Sequence, residues 1–518
     1  MKLSKQIVTS VVLLLLLGSA AAGQGPGSRL QPSDKRNSSS SSSSSSNSTT
    51  KRRGSSSLGR SYQAAVSQGT EIRQGTEISP TVMIYGFPDV ESDTGPRPCQ
   101  KAISNSKGLN AKKINFMITV YGVHKGRYFD RFYYKDRKSV MLPVEASQTA
   151  RYRQGLEKCF KAALDAGFTG IHILAHVDVF DQSLSSRTLW RNVVLFSPTA
   201  PAADSSSGSY SYTDALLQPA AEALNNVINR ETTVEFTLAG EQGLSVWSYP
   251  RDYTQAMQRM RSILSRGGLD PSRHTFGVSF NYDKVCGCVE PEERDPIRYN
   301  NTYMERYKRA APWIKKNIDV EGVKQLLEAS DFIGLSSYAP LPANLTQASM
   351  EVSIETAAFE MQPFGIDLKS YLFAKGKPLV YSEQGIGGCT DNKRLPPSLD
   401  YIRVHPFSGC GGSYSSQLDP WKVPEYQAYR RKLYQLLADW AAVGGGPQYR
   451  VDGIYVWNSG SWDVMGVNPS STTREGTYAD SVIKGYVQQL NAAVNGYTPT
   501  YQQLGPSQNN KGAFGSRR

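Results

Sequence analysis

The chain carries eight short apolar runs, each rich in β-branched and aromatic residues and bounded by turn residues. Runs of this length and composition are typical of β-strands. They span residues 81–87, 115–122, 170–178, 233–241, 275–282, 331–338, 378–383 and 452–458. Stretches with helical periodicity separate many of them, including residues 150–167, 213–229 and 425–445. Strand and helix alternating eight times predict an α/β fold, the (β/α)8 TIM barrel, in one large domain.

Three of the runs alternate as barrel strands do, with one face toward surrounding helices and one toward the barrel interior. The predicted outward residues are apolar: Val234, Phe236, Leu238, Phe276, Val278, Phe280, Ile333 and Leu335. The predicted inward residues are small, polar or aromatic: Thr237, Ala239, Glu241, Gly277, Ser279, Asn281, Gly334, Ser336 and Tyr338. The polar residues at the strand ends therefore point into the barrel mouth, where barrels of this fold keep their chemistry.

Two of the strand ends carry a carboxylate. Glu241 ends the fourth run in "VEFTLAGEQG", and Glu383 ends the seventh in "PLVYSEQGIGG". Either acid alone is more often a solvated loop residue, but together they face each other across the mouth of a barrel. Hydrolysis of a glycosidic bond uses such a pair, with one acid protonating the leaving oxygen and the other attacking from about 5 to 5.5 Å away in retaining enzymes.

Over roughly residues 80–490, the chain resembles the clan A retaining glycoside hydrolases. That resemblance implies that Glu241 is the acid/base and Glu383 the nucleophile. "IYVWNSGSWD" is similar to the clan's eighth strand, which makes Trp457 the floor of the sugar subsite beside the cleaved bond. "IGLSSYAPL" is similar to the sixth strand, which makes Tyr338 a hydrogen-bond donor to the nucleophile. The inward parity of Asn281 adds it to the expected substrate-binding residues.

Within the clan, "HILAHVDVFD" followed by "WRN" resembles the third strand and loop of the endo-β-mannanase branch. This implies substrate-binding roles for four further residues: His176, Asp178, Trp190 and Arg191. The alternative for His176 and Asp178 is that a buried pair satisfies itself by hydrogen bonding. One position departs from the clan, since many members have Asn immediately before the acid/base and this chain has Gly240.

The N-terminal segment predicts a secreted protein of the extracellular space or cell wall. It has a basic start, an apolar core at residues 11–17 and small residues near residue 22. These three features together are typical of a secretory signal peptide. That core is too short to span a bilayer of about 30 Å, and no other stretch is long enough, so stable membrane insertion is not expected. The predicted divisions are a signal peptide at 1–22, a disordered serine-rich basic linker at 23–75, the barrel at 76–495 and a flexible tail at 496–518.

The formal net charge of +13 is uneven along the chain. Residues 1–60 hold nine Lys or Arg and one acid, so +8 lies there and +5 lies in the remainder. A basic patch for nucleic acid is therefore not expected on the folded domain. The basic serine-rich segment is interpreted as a solvated tail, or alternatively as a tether to acidic wall or matrix polymer.

An even number of cysteines in a secreted chain favours disulfides. Five of them follow predicted strands on the mouth side: Cys99, Cys286, Cys288, Cys389 and Cys410. At least one loop-to-loop bridge is expected among these five, first of all Cys389 with Cys410. The sixth, Cys159, lies in a predicted amphipathic helix. Sequons at Asn37, Asn47, Asn300 and Asn344 fit the same compartment.

No metal and no cofactor is expected. His172 and His176 are four residues apart, a zinc spacing on a helix, but on a strand they are separated by about 13 Å. The segment Cys286-Gly287-Cys288 has one intervening residue, fewer than structural zinc sites use. Neither a phosphate-binding glycine loop nor a Gly-x-Ser-x-Gly elbow occurs.

The expected function is a secreted, endo-acting retaining hydrolase of β-linked polysaccharide or oligosaccharide, with β-mannan as the first guess and a monomer as the expected state. Transglycosylation would use the same residues. The alternative is a non-hydrolytic carbohydrate-binding or structural wall glycoprotein on the same barrel. In the enzyme, Glu383 is expected to be held anionic by donors such as Tyr338, while the pKa of Glu241 is expected to be raised.

Overall fold

The computed structural model describes residues 74–125, 128–179, 190–202, 210–266, 270–289, 296–389, 397–446 and 449–496. The predicted signal peptide, almost all of the linker and the tail lie outside these residues, as do the sequons at Asn37 and Asn47. The strands are β1 Ile78–Ile84, β2 Lys113–Lys125, β3 Tyr128–Lys135, β4 Met141–Pro143, β5 Gly170–Val179, β6 Thr233–Gly240, β7 His274–Asn281, β8 Phe332–Ser337, β9 Leu379–Gln384, β10 Val451–Val456, β11 Thr472–Thr473 and β12 Gly476–Thr477.

Eight of these strands form a closed parallel barrel, which confirms the predicted fold. Around the barrel the order is β1, β2, β5, β6, β7, β8, β9 and β10, and β10 pairs with β1 to close the ring. Each of the eight predicted runs corresponds to one barrel strand. Because every neighbouring pair is parallel, the carboxyl ends of all eight strands meet at one mouth.

The helices pack around the outside of the barrel. They are α1 Phe87–Val90, α2 Pro98–Ser106, α3 Ala146–Asp165, α4 Gln218–Asn225, α5 Gly243–Ser248, α6 Pro250–Leu264, α7 Pro296–Asn317, α8 Val320–Ala329, α9 Val352–Met361, α10 Leu368–Phe373, α11 Leu399–Val404, α12 Pro424–Ala441 and α13 Ser481–Val494. In α3 the buried residues Tyr152, Leu156, Cys159 and Ala163 recur at helical spacing, so one stripe faces the barrel. Proline opens α12, where its missing N–H costs no helical hydrogen bond.

The strand faces follow the predicted alternation with one exception. All eight predicted outward residues, from Val234 to Leu335, belong to the main hydrophobic core between strands and helices. Ala239, predicted to face inward, also packs in that outer core. The prediction for Ala239 is wrong because β6 departs from regular pairing before its end.

A β-hairpin extends the barrel beyond the predicted runs. β2 continues past the barrel and pairs with β3 in antiparallel register, and β3 pairs in turn with the short β4. Phe129 and Phe132 from this hairpin are buried against Phe196, which places an aromatic cluster beside β5. The alternating sequence after residue 121 was the available signal for this extension.

Three disulfides link the six cysteines. Cys389 is bonded to Cys410, which confirms the predicted loop-to-loop bridge, and Cys286 is bonded to Cys288. The third bond joins Cys99 of α2 to Cys159 of α3. Cys99, one of the five candidates, is thus disulfide-bonded, but to the helical cysteine outside that group, because the first turn of α2 packs on α3 with the two Cα atoms 5.9 Å apart.

Removing the bond between Cys99 and Cys159 is expected to lower the free energy of unfolding by about 4 kcal/mol. The physical reason is chain entropy, since the bond closes a loop of 60 residues in the unfolded state. Denaturant unfolding of the double Ser variant measures the loss. The matched control is the double Ser variant at Cys286 and Cys288. That disulfide closes a loop of only two residues, so its removal should increase the entropy of the unfolded chain less and lower the free energy of unfolding less. Equal losses in the two variants would contradict the loop-entropy explanation.

No helix among the described residues is long and apolar enough to cross a membrane.

Candidate active site

A β-bulge at the end of β6 places Glu241. Thr237 lies opposite Gly277 and Gly240 lies opposite Ser279, so two residues of β6 face the one residue, Val278, that lies between them on β7. Glu241 then adopts a left-handed backbone conformation with φ of 57°. That conformation is uncommon for a residue with a side chain and is found in strained turns at functional sites.

A second irregularity, at Ser382 in β9, places Glu383. Leu335 lies opposite Tyr381, and the next residue of β8, Ser336, lies opposite Glu383. Ser382 is therefore an additional residue in the ladder, and its hydroxyl oxygen lies 2.5 Å from that of Ser279 inside the barrel. Both carboxylates thus follow a bulge, a device that re-aims a side chain at the end of a strand.

Glu241 is 4% exposed and accepts two hydrogen bonds. Arg191 donates from Nη1 to Oε2 over 2.8 Å, and Asn281 donates from Nδ2 to Oε1 over 2.7 Å. Arg191 also donates from Nη2 to Oδ1 of Asp178 over 2.7 Å. The guanidinium of Arg191 therefore bridges the carboxylate of Glu241, just after β6, and the carboxylate of Asp178, near the end of β5.

Arg191 is held in place by the loop around it. It opens a short 3-10 turn, Arg191–Val193, directly after Trp190. Asn192 accepts a hydrogen bond from the backbone of Gly243 over 2.7 Å and donates to the carbonyl of Lys284 over 2.6 Å. The Lys284 ammonium lies 5.0 Å from the centre of the Trp190 ring. The loop after β5 is thus pinned to the loop after β7.

Glu383 is 3% exposed and lies between Tyr338 and His176. Tyr338 donates to Oε2 over 3.0 Å, as the sequence led us to expect. Nε2 of His176 lies 3.0 Å from Oε1, but neither atom has a hydrogen-bond partner among the described residues. The imidazole stacks on Trp457 with ring centres 5.9 Å apart. His176 therefore lies against Glu383 and Asp178 is paired with Arg191, so the two residues do not satisfy each other.

Gly240 packs directly against His176. A β-carbon at Gly240 would lie 2.4 Å from Cδ2 and 2.5 Å from Nε2 of the imidazole, too close for any side chain. The imidazole thus crowds the position where many clan A hydrolases carry Asn. Burial, followed by the Arg191 charge, lowers the pKa of His176 to about 3, so the imidazole is neutral at neutral pH.

A cavity of about 410 Å³ lies at the barrel mouth and brings most of the predicted residues together. The predicted residues that line it are Trp190, Arg191, Glu241, Asn281, Tyr338, Glu383 and Trp457. His176 and Asp178 are not part of the lining, but each contacts a residue that is, His176 at Glu383 and Asp178 at Arg191. Five lining residues were not predicted: Tyr282, Asp283, Lys284, Phe407 and Trp462. The two carboxylates therefore share one cleft.

A larger cavity of about 790 Å³ lies at the opposite end of the barrel, where the strands begin. Its charged lining includes Glu77, Lys113 and Asp452. Lys113 forms an ion pair with Glu235 inside the barrel, and Glu77 accepts hydrogen bonds from the backbone N–H groups of Lys112 and Lys113. These contacts tie the bottom of the barrel together, and none of the predicted site residues lies there.

Both acids of the mouth have raised pKa values. Burial raises the pKa of Glu241 to about 7, with the charge of Glu383 acting in the same direction and Arg191 against it. Burial also raises the pKa of Glu383 to about 7, opposed by Arg191 and by the hydrogen bond from Tyr338. Tyr338 thus favours the anionic form of Glu383, as expected, but loss of solvation outweighs this effect on the pKa. The two groups titrate as a coupled pair.

Among the described residues, no group of three or more His, Cys, Asp or Glu is arranged to hold a metal ion. His172 and His176 have separate environments. The imidazole of His172 stacks on Tyr455 with ring centres 4.2 Å apart and shares a 2.8 Å hydrogen bond with Thr237, below the site.

Solved structures similar to this chain are distant from it. A family 113 β-mannanase from Alicyclobacillus acidocaldarius is 11% identical with a TM-score of 0.43, over 81% of this chain and 98% of that one. An endo-β-1,4-mannanase from Thermotoga petrophila is 13% identical with a TM-score of 0.37, over 81% and 78%. A family 5 xyloglucanase from Paenibacillus pabuli is 11% identical with a TM-score of 0.38, over 81% and 98%. No protein-family model and no curated protein sequence matches the chain.

Proposed function

We propose that this protein is a retaining glycoside hydrolase acting on β-linked polysaccharide, with Glu383 as nucleophile and Glu241 as acid/base. The observation that carries the proposal is the pair of buried carboxylates at bulged ends of β6 and β9, lining one cavity together with Trp457. Two acids flanking one bond are what glycosidic cleavage requires. Trp457, a partly buried aromatic ring that lines the same cavity, supplies a surface for the apolar face of a sugar.

In the first step, Glu383 attacks the anomeric carbon while Glu241 transfers its proton to the departing oxygen. The glycosidic C–O bond breaks and a glycosyl ester to Glu383 forms. Tyr338, which already donates to Oε2 of Glu383, orients the attacking carboxylate. The pKa of Glu241 near 7 keeps a large share of its carboxyl groups protonated at neutral pH, ready to act as acid.

In the second step, water replaces Glu383 on the anomeric carbon with Glu241 as the base. Esterification removes the negative charge of Glu383, and that charge is one of the causes that raise the pKa of Glu241. The pKa of Glu241 therefore falls in the intermediate, and the carboxylate accepts the proton of the attacking water. Two inversions at the same carbon give net retention of configuration.

The pH profile of kcat/KM is expected to be a bell with both limbs near neutrality, because the working state is the pair carrying one proton. Arg191 lowers the pKa of both acids. Arg191→Gln removes this positive charge, so both limbs should move to higher pH by about 1 unit. Arg191→Lys keeps a positive charge and should move them less. Limbs that stay in place in the Gln variant would contradict this electrostatic role.

The substrate is proposed to be a β-linked wall or matrix glycan cleaved internally, with β-mannan as the first candidate. The support for mannan is the resemblance of the segments carrying His176 and Arg191 to the endo-β-mannanase branch. Secretion is supported by the three disulfides of the described residues and by the exposed sequon at Asn344. A soluble monomer acting on its glycan without a cofactor is the simplest assembly.

The test is a panel of β-mannan, glucomannan, β-1,4-glucan, xyloglucan and xylan, incubated with protein recovered from a secreting host. New reducing ends show hydrolysis, and NMR of the first product shows its anomeric configuration. Retained configuration supports the proposal, and inverted configuration rules out the double displacement. A glycan that is bound but never cleaved would instead favour the non-hydrolytic carbohydrate-binding alternative.

A further inference from the structure

The loop after β10 brings a second tryptophan, Trp462, to the cavity that holds the two acids. It lies five residues beyond Trp457 and is only partly buried, whereas Trp247, Trp421 and Trp440 are at most 3% exposed and belong to the core. Its indole Nε1 has no hydrogen-bond partner among the described residues. The ring is therefore positioned by packing and not by a polar contact.

Two glycines form the seat of this ring. A β-carbon at Gly409 would lie 2.5 Å from both Cη2 and Cζ2 of Trp462, and a β-carbon at Gly387 would lie 2.5 Å from Cε2. Distances this short exclude any side chain at either position while the indole stays in place. The position of the Trp462 ring thus requires glycine at two points, 387 and 409, of the long loop that follows β9.

That loop is closed and attached to the Trp462 segment. The disulfide between Cys389 and Cys410 closes it. Cys389 lies two residues after Gly387, and Cys410 directly follows Gly409. Cys410 donates its N–H to Oγ of Ser461 over 2.8 Å, and Ser461 donates its N–H to the carbonyl of Cys410 over 2.9 Å. Trp421 donates from Nε1 to the carbonyl of Ser461 over 2.9 Å. Three hydrogen bonds, two with Cys410 and one with Trp421, thus fix Ser461, the residue preceding Trp462.

We propose that Trp462 is a second sugar-binding platform, which stacks on a glycan unit beyond the one carried by Trp457. The proposal rests on the proposed function and deepens it, because a second platform selects chains of several β-linked sugars over single glycosides. Aromatic rings offer large, rigid apolar area at low entropic cost, which suits the C–H face of a pyranose. The disulfide-closed loop is then the element that keeps this platform in position.

The test compares Trp462→Ala and Trp462→Phe with the wild type on mannohexaose, on cellohexaose and on 4-nitrophenyl β-mannoside. The Ala variant should lose kcat/KM on the preferred hexaose by at least about tenfold more than on the aryl glycoside, mainly through KM. The Phe variant should recover part of that difference because a ring is restored. Gly409→Ala, whose methyl displaces the indole, should follow the Ala variant.

Trp313→Ala is the matched control, since Trp313 is an exposed tryptophan on α7 outside the cavity, and it should match the wild type on every substrate. Thermal unfolding midpoints of all variants separate loss of the platform from loss of the fold. Equal losses on hexaose and aryl glycoside, or no loss, would overturn the proposal.

Calorimetric titration of wild type and Trp462→Ala with the same hexaoses separates this proposal from the proposed function. If the wild type binds a hexaose without cleaving it, the hydrolase proposal fails, yet a tenfold weaker binding by the variant still supports the platform. If the wild type cleaves a hexaose and the variant binds it equally well, the platform proposal fails while the hydrolase stands. Binding of neither hexaose by the wild type overturns the platform as stated.

Discussion

Glu383→Ala should reduce hydrolysis of any glycan to background, a loss on the scale of about 10⁶-fold expected when a hydrolase loses its nucleophile. Added azide should restore turnover by occupying the space of the lost carboxylate and attacking the anomeric carbon directly. Because only one displacement then occurs, the glycosyl azide should have inverted configuration. NMR of the product from an activated aryl glycoside measures both the rescue and the configuration.

The control for this experiment is Glu355→Ala, which removes an exposed carboxylate of α9 that pairs with Lys369 outside the cavity. It should keep wild-type activity and show no azide effect. A Glu383→Ala protein that keeps more than a trace of activity, or that gives azide product of retained configuration, would show that Glu383 is not the nucleophile.

Glu241→Ala should behave differently because its proton is needed only when the leaving group is poor. Activity on polysaccharide should fall by about 10²- to 10⁴-fold, the usual contribution of a general acid. Activity on aryl glycosides with good leaving groups should be much less affected in the glycosylation step. Azide should now attack the glycosyl ester on Glu383, so the product should have retained configuration.

The two variants check each other through the leaving group. A plot of rate against leaving-group pKa should be steep for Glu241→Ala and shallow for the wild type. If the steep dependence and retained azide product were found for Glu383→Ala instead, the roles of the two acids would be exchanged. A carboxyl separation of about 6.5 to 9.5 Å with a water between the acids would instead indicate an inverting enzyme.

The sequence predicted the barrel and its inward residues because regular strands obey a simple alternation. Asn281 reaches Glu241, and Tyr338 reaches Glu383, as their parity on β7 and after β8 indicates. Alternation does not account for Glu383. Continued along β9 from the outward Tyr381, it would send Glu383 to the outer core, and the added residue Ser382 returns it to the mouth. Such bulges have no reliable signature in one sequence.

The remaining lining residues come from loops, where no periodicity constrains the direction of a side chain. Lys284 and Trp462 both lie within six residues after a barrel strand, which was the available signal. Their orientation depends on contacts distant in sequence, such as Glu360, whose two carboxylate oxygens accept the backbone N–H groups of Lys284 and Val285. The pairing of Cys99 with Cys159 is similarly a consequence of helix packing.

The salt bridge of Arg191 has a consequence for the net charge of the cleft. Asp178 and the acid pair with one proton together carry two negative charges, and the Arg191 guanidinium cancels one. Asp283 and Lys284 also line the cavity, and as an ion pair they cancel each other. Neutral His176 adds none. A largely desolvated cleft of charge −1 favours a positively charged guest over a neutral one. In the proposed reaction, the oxocarbenium-like transition state carries such a positive charge. The net charge of the cleft would therefore lower the activation barrier without strengthening the binding of the neutral sugar.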